Sequence, residues 1–162
     1  PRHSETRQLP YTPEQMFDLV ADVARYGEFL PWVTAVRVRS NSATEMVADL
    51  IVGSKGLRET SPPRSNKDRP SRIHVDYLEG PLSHLTNDWT FRPDGKGGCL
   101  VDFAVDFAFR NRMFEMLAGQ VFDRALRKMI GAFEARAETL YGASGSGAAD
   151  AGSSSSSAHN AA

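Results

Sequence analysis

Two periodicities divide the chain. Between Val36 and Phe109 apolar residues recur at alternate positions, and from Asn111 to Tyr141 they recur about every 3.6 residues. The first pattern predicts strands. Val36 and Val38 alternate with Arg37 and Arg39, and Met46, Ala48, Leu50 and Val52 alternate with Val47, Asp49 and Ile51, with Ser40 to Thr44 between them as a hairpin turn. Ile73, Val75 and Tyr77 form another run, followed by Leu85, Asn87, Trp89 and Phe91. The turn Pro93-Asp-Gly-Lys-Gly-Gly98 leads into the clearest strand, where Val101, Phe103, Val105, Phe107 and Phe109 alternate with Asp102, Ala104, Asp106 and Ala108.

The second pattern predicts a helix of roughly eight turns. Phe114, Leu117, Val121, Ala125, Met129, Phe133 and Leu140 form one stripe, with Phe122, Leu126 and Ile130 beside it, and Gly142 stops the helix. Near the N-terminus, Glu5 to Leu9 reads as a short strand. Thr12-Pro-Glu-Gln15 then opens a helix, with Thr12 as cap, Pro13 at the first helical position and Gln15 as capping-box partner. Met16, Phe17, Leu19, Val20 and Val23 supply its apolar face. A meander of one-sided strands needs a cover, and the long C-terminal helix has the required length and stripe. The expected class is α+β, with an antiparallel sheet curled around the last helix. In one place the pattern breaks: Ser61-Pro62-Pro63 cannot donate ladder hydrogen bonds at the prolines, so a short strand near Leu57 to Thr60 followed by an irregular or edge segment is expected.

The chain has 162 residues, 41% hydrophobic and 24% charged, enough for one globular domain. From Ala143 to Ala162 every residue except Asp150, His159 and Asn160 is Ala, Ser or Gly, which predicts a disordered tail after a domain spanning 1–142. Net charge is −1 and the pI about 6.5, so no global positive field points to DNA. Cys99 is the only cysteine, which excludes an intramolecular disulfide and a CxxC site and fits the cytoplasm. No apolar run approaches the ~18 residues of a membrane span, and the N-terminal residues lack a signal-peptide core. A soluble protein is expected, cytoplasmic or peripheral to the inner membrane.

Chemistry is sparse. His74 and His84 fall on the polar phases of their strands, no His, Cys or carboxylate cluster has metal-ligand spacing, and no nucleophile elbow or phosphate loop is present. No catalytic residue, metal or cofactor is expected. Lys55, Arg58, Arg64, Lys67, Arg69 and Arg72 concentrate positive charge, either as a solvated face or, through Lys55, Arg58, Lys67 and Arg69, as a patch meeting anionic membrane lipid.

Several motifs in order carry a resemblance: Leu9-Pro-Tyr-Thr-Pro-Glu-Gln-Met-Phe-Asp-Leu-Val20; Tyr26 with Phe29-Leu-Pro-Trp32; Gly53 with Lys55-Gly-Leu-Arg-Glu59; Gly80-Pro81 with Leu85, Asn87, Trp89 and Phe91; and Met129-Ile-Gly-Ala-Phe-Glu-Ala-Arg-Ala-Glu-Thr-Leu-Tyr-Gly142. Over essentially residues 3 to 142 the sequence resembles the coenzyme Q-binding START-like family. The resemblance implies a helix-grip fold of about six or seven strands around the C-terminal helix, with two short helices after the first strand. It also implies a deep hydrophobic cavity for ubiquinone or a related polyprenyl lipid, delivered to respiratory or quinone-biosynthesis proteins. The expected cavity positions are Phe17, Leu30, Trp32, Val36, Trp89, Phe91, Phe103, Val105, Leu117 and Val121, with Asn87 as a polar handle for the ligand head. Relatives labelled polyketide cyclases or aromatases, and others named ribosome-association toxins, keep an enzyme and a ribosome-binding module as alternatives. Gly27 stands where the family pattern has proline, and Ser61 to Asn66 stands where it has a strand rich in Thr, Phe and Val.

Overall fold

A computed structural model describes residues 1–52, 62–77 and 82–142. In chain order its elements are β1 (Arg2–Leu9), α1 (Pro13–Ala21), a 3-10 helix (Val23–Glu28), β2 (Val33–Asn41), β3 (Glu45–Val52), β4 (Arg64–Asp68), β5 (Arg72–Tyr77), β6 (Leu82–Pro93), β7 (Cys99–Phe109) and α2 (Arg112–Tyr141). The seven strands form one antiparallel sheet in the order β1-β7-β6-β5-β4-β3-β2.

The local signals act as expected at α1. The Thr12 hydroxyl accepts from the Gln15 N–H at 3.1 Å, and the Gln15 side chain accepts from the Thr12 N–H at 2.9 Å, which satisfies two helix-end donors reciprocally. Met16, Phe17, Leu19 and Val20 are buried against the sheet, each stabilising the fold by roughly 1.5–3 kcal/mol. The far end of α2 is latched to this helix. The Tyr11 hydroxyl donates to the Gly142 carbonyl and the Tyr141 hydroxyl to the Gln15 carbonyl, both at 3.0 Å.

Register fixes which residues share the concave face. One cross-strand row runs Met46, Ser65, Val75, Asn87, Val105, and the next holds Lys67, Ile73, Trp89 and Phe103. On the other side of the first row come Tyr77, Leu85 and Phe107. The convex face is ionic instead. Arg72 and His74 both bond Asp88, Arg64 meets Glu45, and Asp102 of β7 gathers Thr6 of β1 with Thr90 and Arg92 of β6.

Three expectations are corrected. β1 starts at Arg2 rather than Glu5, because its whole length pairs with β7. The strand expected near Leu57 to Thr60 lies outside the described residues, and β4 is neither irregular nor an edge. It starts directly after Pro62-Pro63, whose missing N–H groups keep them out of the ladder, although the Pro63 carbonyl still accepts from Ala48. On α2 the buried stripe is Leu126, Ile130, Phe133 and Ala137, with Phe122 and Met129 partly buried, while Val121 is 66% exposed and Leu140 is exposed too. The face turned to the sheet is thus centred on the neighbouring positions Phe122, Leu126 and Ile130 together with Phe133, and the expected stripe contributes Ala125 and Met129 at its border and leaves Val121 and Leu140 outside.

The turn before β7 requires glycine for two reasons. Gly95 and Gly97 have φ of 82° and 89°, in the left-handed region. At Gly98 a Cβ would lie 2.5 Å from the Leu9 carbonyl oxygen. Gly98→Ala is therefore expected to cost about 1–3 kcal/mol, read as a lower denaturation midpoint; a midpoint equal to wild type would show that β1 can shift freely. Asp102 gives a pH signature. Hydrogen bonds from Arg92, then Thr6 and Thr90, hold its carboxyl at about 2, below the usual ~3.9. A depressed carboxylate stabilises the fold above its unfolded pKa, and that contribution fades as pH falls from about 4 toward 2. Asp102→Asn should thus lower stability at pH 7 by up to about 1 kcal/mol and converge with wild type at the acid end of an unfolding series.

Candidate functional site: an apolar cavity under the C-terminal helix

The concave face is not filled. A cavity of about 420 Å³ lies between α2 and the sheet. Its walls come from Met46, Ala48 and Leu50 of β3, Ile73, Val75 and Tyr77 of β5, Leu85, Asn87 and Trp89 of β6, and Phe103 and Val105 of β7. Phe122, Ala125, Leu126, Met129 and Phe133 of α2 form the roof, and Val20, Ala21, Val23, Tyr26, Leu30, Trp32 and Val33 close one end.

Side-chain size explains the gap. Phe122 meets Phe107 with ring centroids 3.8 Å apart, and Phe133 meets Trp89 at 5.1 Å. These two supports stand eleven residues apart on α2, or about 16 Å. Between them the helix offers Ala125, Leu126 and Met129 to the cavity, and the sheet offers the short row Ser65, Val75, Asn87 and Val105. Large rings set the helix height while small groups lie beneath its middle, so space remains.

The connection Tyr26 to Trp32 is folded into this arrangement. Tyr26 and Phe29 each pack edge-on against Phe133 at 5.4 Å, Leu30 is buried, and Arg136 lies 5.0 Å from the Phe29 ring while bonding Glu28. The Tyr26 hydroxyl donates to the Val20 carbonyl, and burial pushes its pKa up, so it stays a neutral donor. Trp32, with φ of 38°, is 45% exposed and lines the cavity, which makes it part of the rim.

Of the positions expected at the cavity, Leu30, Trp32, Asn87, Trp89, Phe103 and Val105 face it. Phe17 and Phe91 do not. They pack edge-on against each other at 5.9 Å, with Phe91 stacked on Trp89, and fill the interior beneath α1 as solid core. Val36 pairs with Leu50 on the edge strand, one strand beyond the wall. Val121 points to solvent, and the Leu117 side chain lies outside the described residues. Sequence reasoning passed over Met46, Ala48, Phe122, Leu126, Met129 and Phe133 as cavity residues, although their periodicity had marked them as inward.

Two members of the expected basic patch are described, Lys67 and Arg69. Arg69 holds Asp18 through two bonds of 2.9 and 3.0 Å, and Lys67 belongs to the cavity wall; Lys55 and Arg58 lie outside the described residues. Among the described lining residues there is no His, Cys, Asp or Glu. Cys99 is fully buried elsewhere, and burial pushes its thiol up to about 12. No group of three metal-ligating side chains occurs among the described residues, and no described helix is long and apolar enough to cross a membrane.

Asn87 is already engaged. Its Nδ2 donates to the Ala104 carbonyl at 3.0 Å, and its Oδ1 accepts from Trp89 Nε1 at 2.8 Å. One N–H remains for anything else, and the residue's first role is to fix the indole that supports Phe133.

A curved antiparallel sheet gripping a long helix around an apolar cavity defines a helix-grip, START-like domain. The chain belongs to the family described as polyketide cyclase / dehydrase and lipid transport, which it matches over residues 9–134. It is 34% identical over 143 residues to the ribosome association toxin RatA of Escherichia coli, covering 88% of this chain and 90% of that one. It is 33% identical over 144 residues to the mitochondrial coenzyme Q-binding protein COQ10 homolog B of Xenopus laevis, covering 86% of this chain and 59% of that protein. Among solved structures it resembles the 18 kDa protein CC1736 of Caulobacter crescentus, with 40% identity, a TM-score of 0.67, and coverage of 88% of this chain and 99% of that one.

Replacing Asn87 with Leu leaves the buried Trp89 N–H and the Ala104 carbonyl without these partners. A loss of about 1–3 kcal/mol is expected in denaturant unfolding, and unchanged stability would show that the pair does not hold the indole.

Proposed function

We propose that this protein is a non-enzymatic carrier that shelters ubiquinone or a related polyprenyl lipid beneath α2 and passes it to respiratory or quinone-biosynthesis proteins. The observation that carries the reading is the cavity itself: apolar on nearly every wall, lacking a carboxylate, imidazole or thiol among its described residues, and about 420 Å³ in volume. That volume falls within the range of roughly 300–1,000 Å³ common for small-molecule sites. It suits a ring and the first part of a chain, with the remainder of a long tail leaving past the rim at Trp32. Membership in a lipid-transport family and the coenzyme Q-binding name of the Xenopus relative support the same class of ligand. A carrier of this kind works in the cytoplasm and meets the inner membrane transiently to exchange its cargo.

A second reading is favoured by the name of the Escherichia coli relative: association with the ribosome. In that reading the outer surface does the work and the cavity need hold nothing. The cyclase reading needs an acid and a base aimed into the cavity, and the described lining offers Tyr26, Tyr77 and Lys67 as its ionisable groups.

Mass spectrometry of an organic extract of the protein purified from its own cells separates the readings. Co-purified polyprenyl quinone is expected, and Ala48→Phe, which places a ring inside the cavity, should remove at least about nine-tenths of it while the protein stays folded by circular dichroism. A lipid-free protein that sediments with large ribosomal subunits would replace the carrier by the second reading.

A further inference from the structure

β4 puts unusual residues on the inner face. Its outward phase is ordinary for an ionic convex surface, with Arg64 paired to Glu45. Its inward phase is Ser65 and Lys67, and both line the cavity. In the row containing Lys67 the neighbours are Ile73, Trp89 and Phe103, all buried apolar groups. A cation on this phase is out of keeping with its row, and the other cations nearby show how the fold treats charge. Arg69 binds Asp18, Arg72 binds Asp88, Arg39 binds Asp49 and Arg92 binds Asp102.

Lys67 has no such partner among the described residues. Its Nζ donates at the solvent-facing margin of the cavity wall to Oδ1 of exposed Asn41 at 2.7 Å, a neutral acceptor, and partial burial pulls its pKa down with no carboxylate to oppose the shift. An ammonium has three donors, so two remain. Ser65, two residues earlier and about 6.6 Å away along the strand, has a hydroxyl without a hydrogen-bond partner among the described residues and faces the same space. A positive charge beside an apolar wall, short of full solvation, is a ready partner for an anion, and a charge-assisted hydrogen bond is stronger than a neutral one.

We propose that Lys67 and Ser65 form an oxyanion subsite on the cavity wall, and that the cavity accepts, besides a neutral quinone, an amphiphile whose head is an ionised carboxylate and whose apolar chain lies under α2. The inference rests on the carrier reading and extends it, because a neutral quinone uses the same apolar walls but leaves the ammonium without a counter-charge, which an ionised head supplies. Lys67 also lies in the row that contains Trp89, so a bound head perturbs the indole environment.

Titration of the full chain, followed by tryptophan fluorescence and calorimetry, tests this with two matched pairs: palmitate and its methyl ester, and farnesoate and its methyl ester. At neutral pH each acid should bind about tenfold more tightly than its ester. The stronger of the two acids identifies the chain as straight or isoprenoid. Lys67→Met should bring the acid to the affinity of the ester while leaving the ester unchanged, Ser65→Ala should weaken the acid alone by about threefold, and Lys67→Arg should keep the preference. Equal binding of acid and ester to wild type, or a preference that survives Lys67→Met, would overturn the subsite. Binding of ubiquinone without binding of either acid would also remove the subsite and leave the carrier standing; failure of ubiquinone, acids and esters alike would remove both.

Discussion

The height of α2 above the sheet is the constraint on which the rest depends. A helix this long, laid across a curved sheet, buries its apolar stripe fully only if something sets the separation, and two aromatic contacts do so: Phe122 on Phe107, and Phe133 on Trp89 with Tyr26 and Phe29 beside it. Aromatic rings are wide and stiff, with large areas to bury. Between these supports the facing row of the sheet, Ser65, Val75, Asn87 and Val105, is short, and the helix cannot drop to close the gap without breaking one end. The cavity is thus a consequence of where large and small side chains fall along two elements.

The loop from Arg25 to Val33 acquires its meaning from the same constraint. Phe29 and Leu30 are apolar residues in a connection because they complete the support around Phe133, and Trp32 turns outward at the end of that support to edge the opening. The ion pair of Arg136 with Glu28, with the guanidinium also over the Phe29 ring, ties the connection to the last turns of α2. Core and rim are one short segment, so motion of the rim is coupled to packing of the helix.

Polar groups divide sharply between the two faces of the sheet. Outside, carboxylates and cations neutralise one another in cross-strand pairs, which keeps the convex surface ionic without a strong field of either sign. Inside, the polar atoms of Tyr26 and Asn87 are engaged with the protein's own backbone and indole. The inner face of β4 differs, with Lys67 held by a neutral amide and Ser65, in the segment that departs from the family pattern, without a partner among the described residues. A fold shared by carriers, cyclases and ribosome-directed proteins acquires its specificity from such local differences.

Much of the architecture was legible from order and period. Alternation marked the strands from β5 to β7, the Thr12 capping box marked the start of α1, and the change of period after Phe109 marked α2, because these signals depend on neighbours in sequence. Alternation also identified the inward residues, including Trp89, Phe103 and Val105. It could not tell filled space from empty, since Phe91 and Trp89 share a phase and only the ring of Phe17 makes one of them core. Nor could it choose between adjacent stripes on α2, place β4 after its prolines, or foresee that Asn87 would hold Trp89 and that Arg69 would find Asp18. Periodicity reports the side of an element on which a residue lies. Volume, register and charge pairing depend on residues distant in sequence, and only the tertiary structure brings those together.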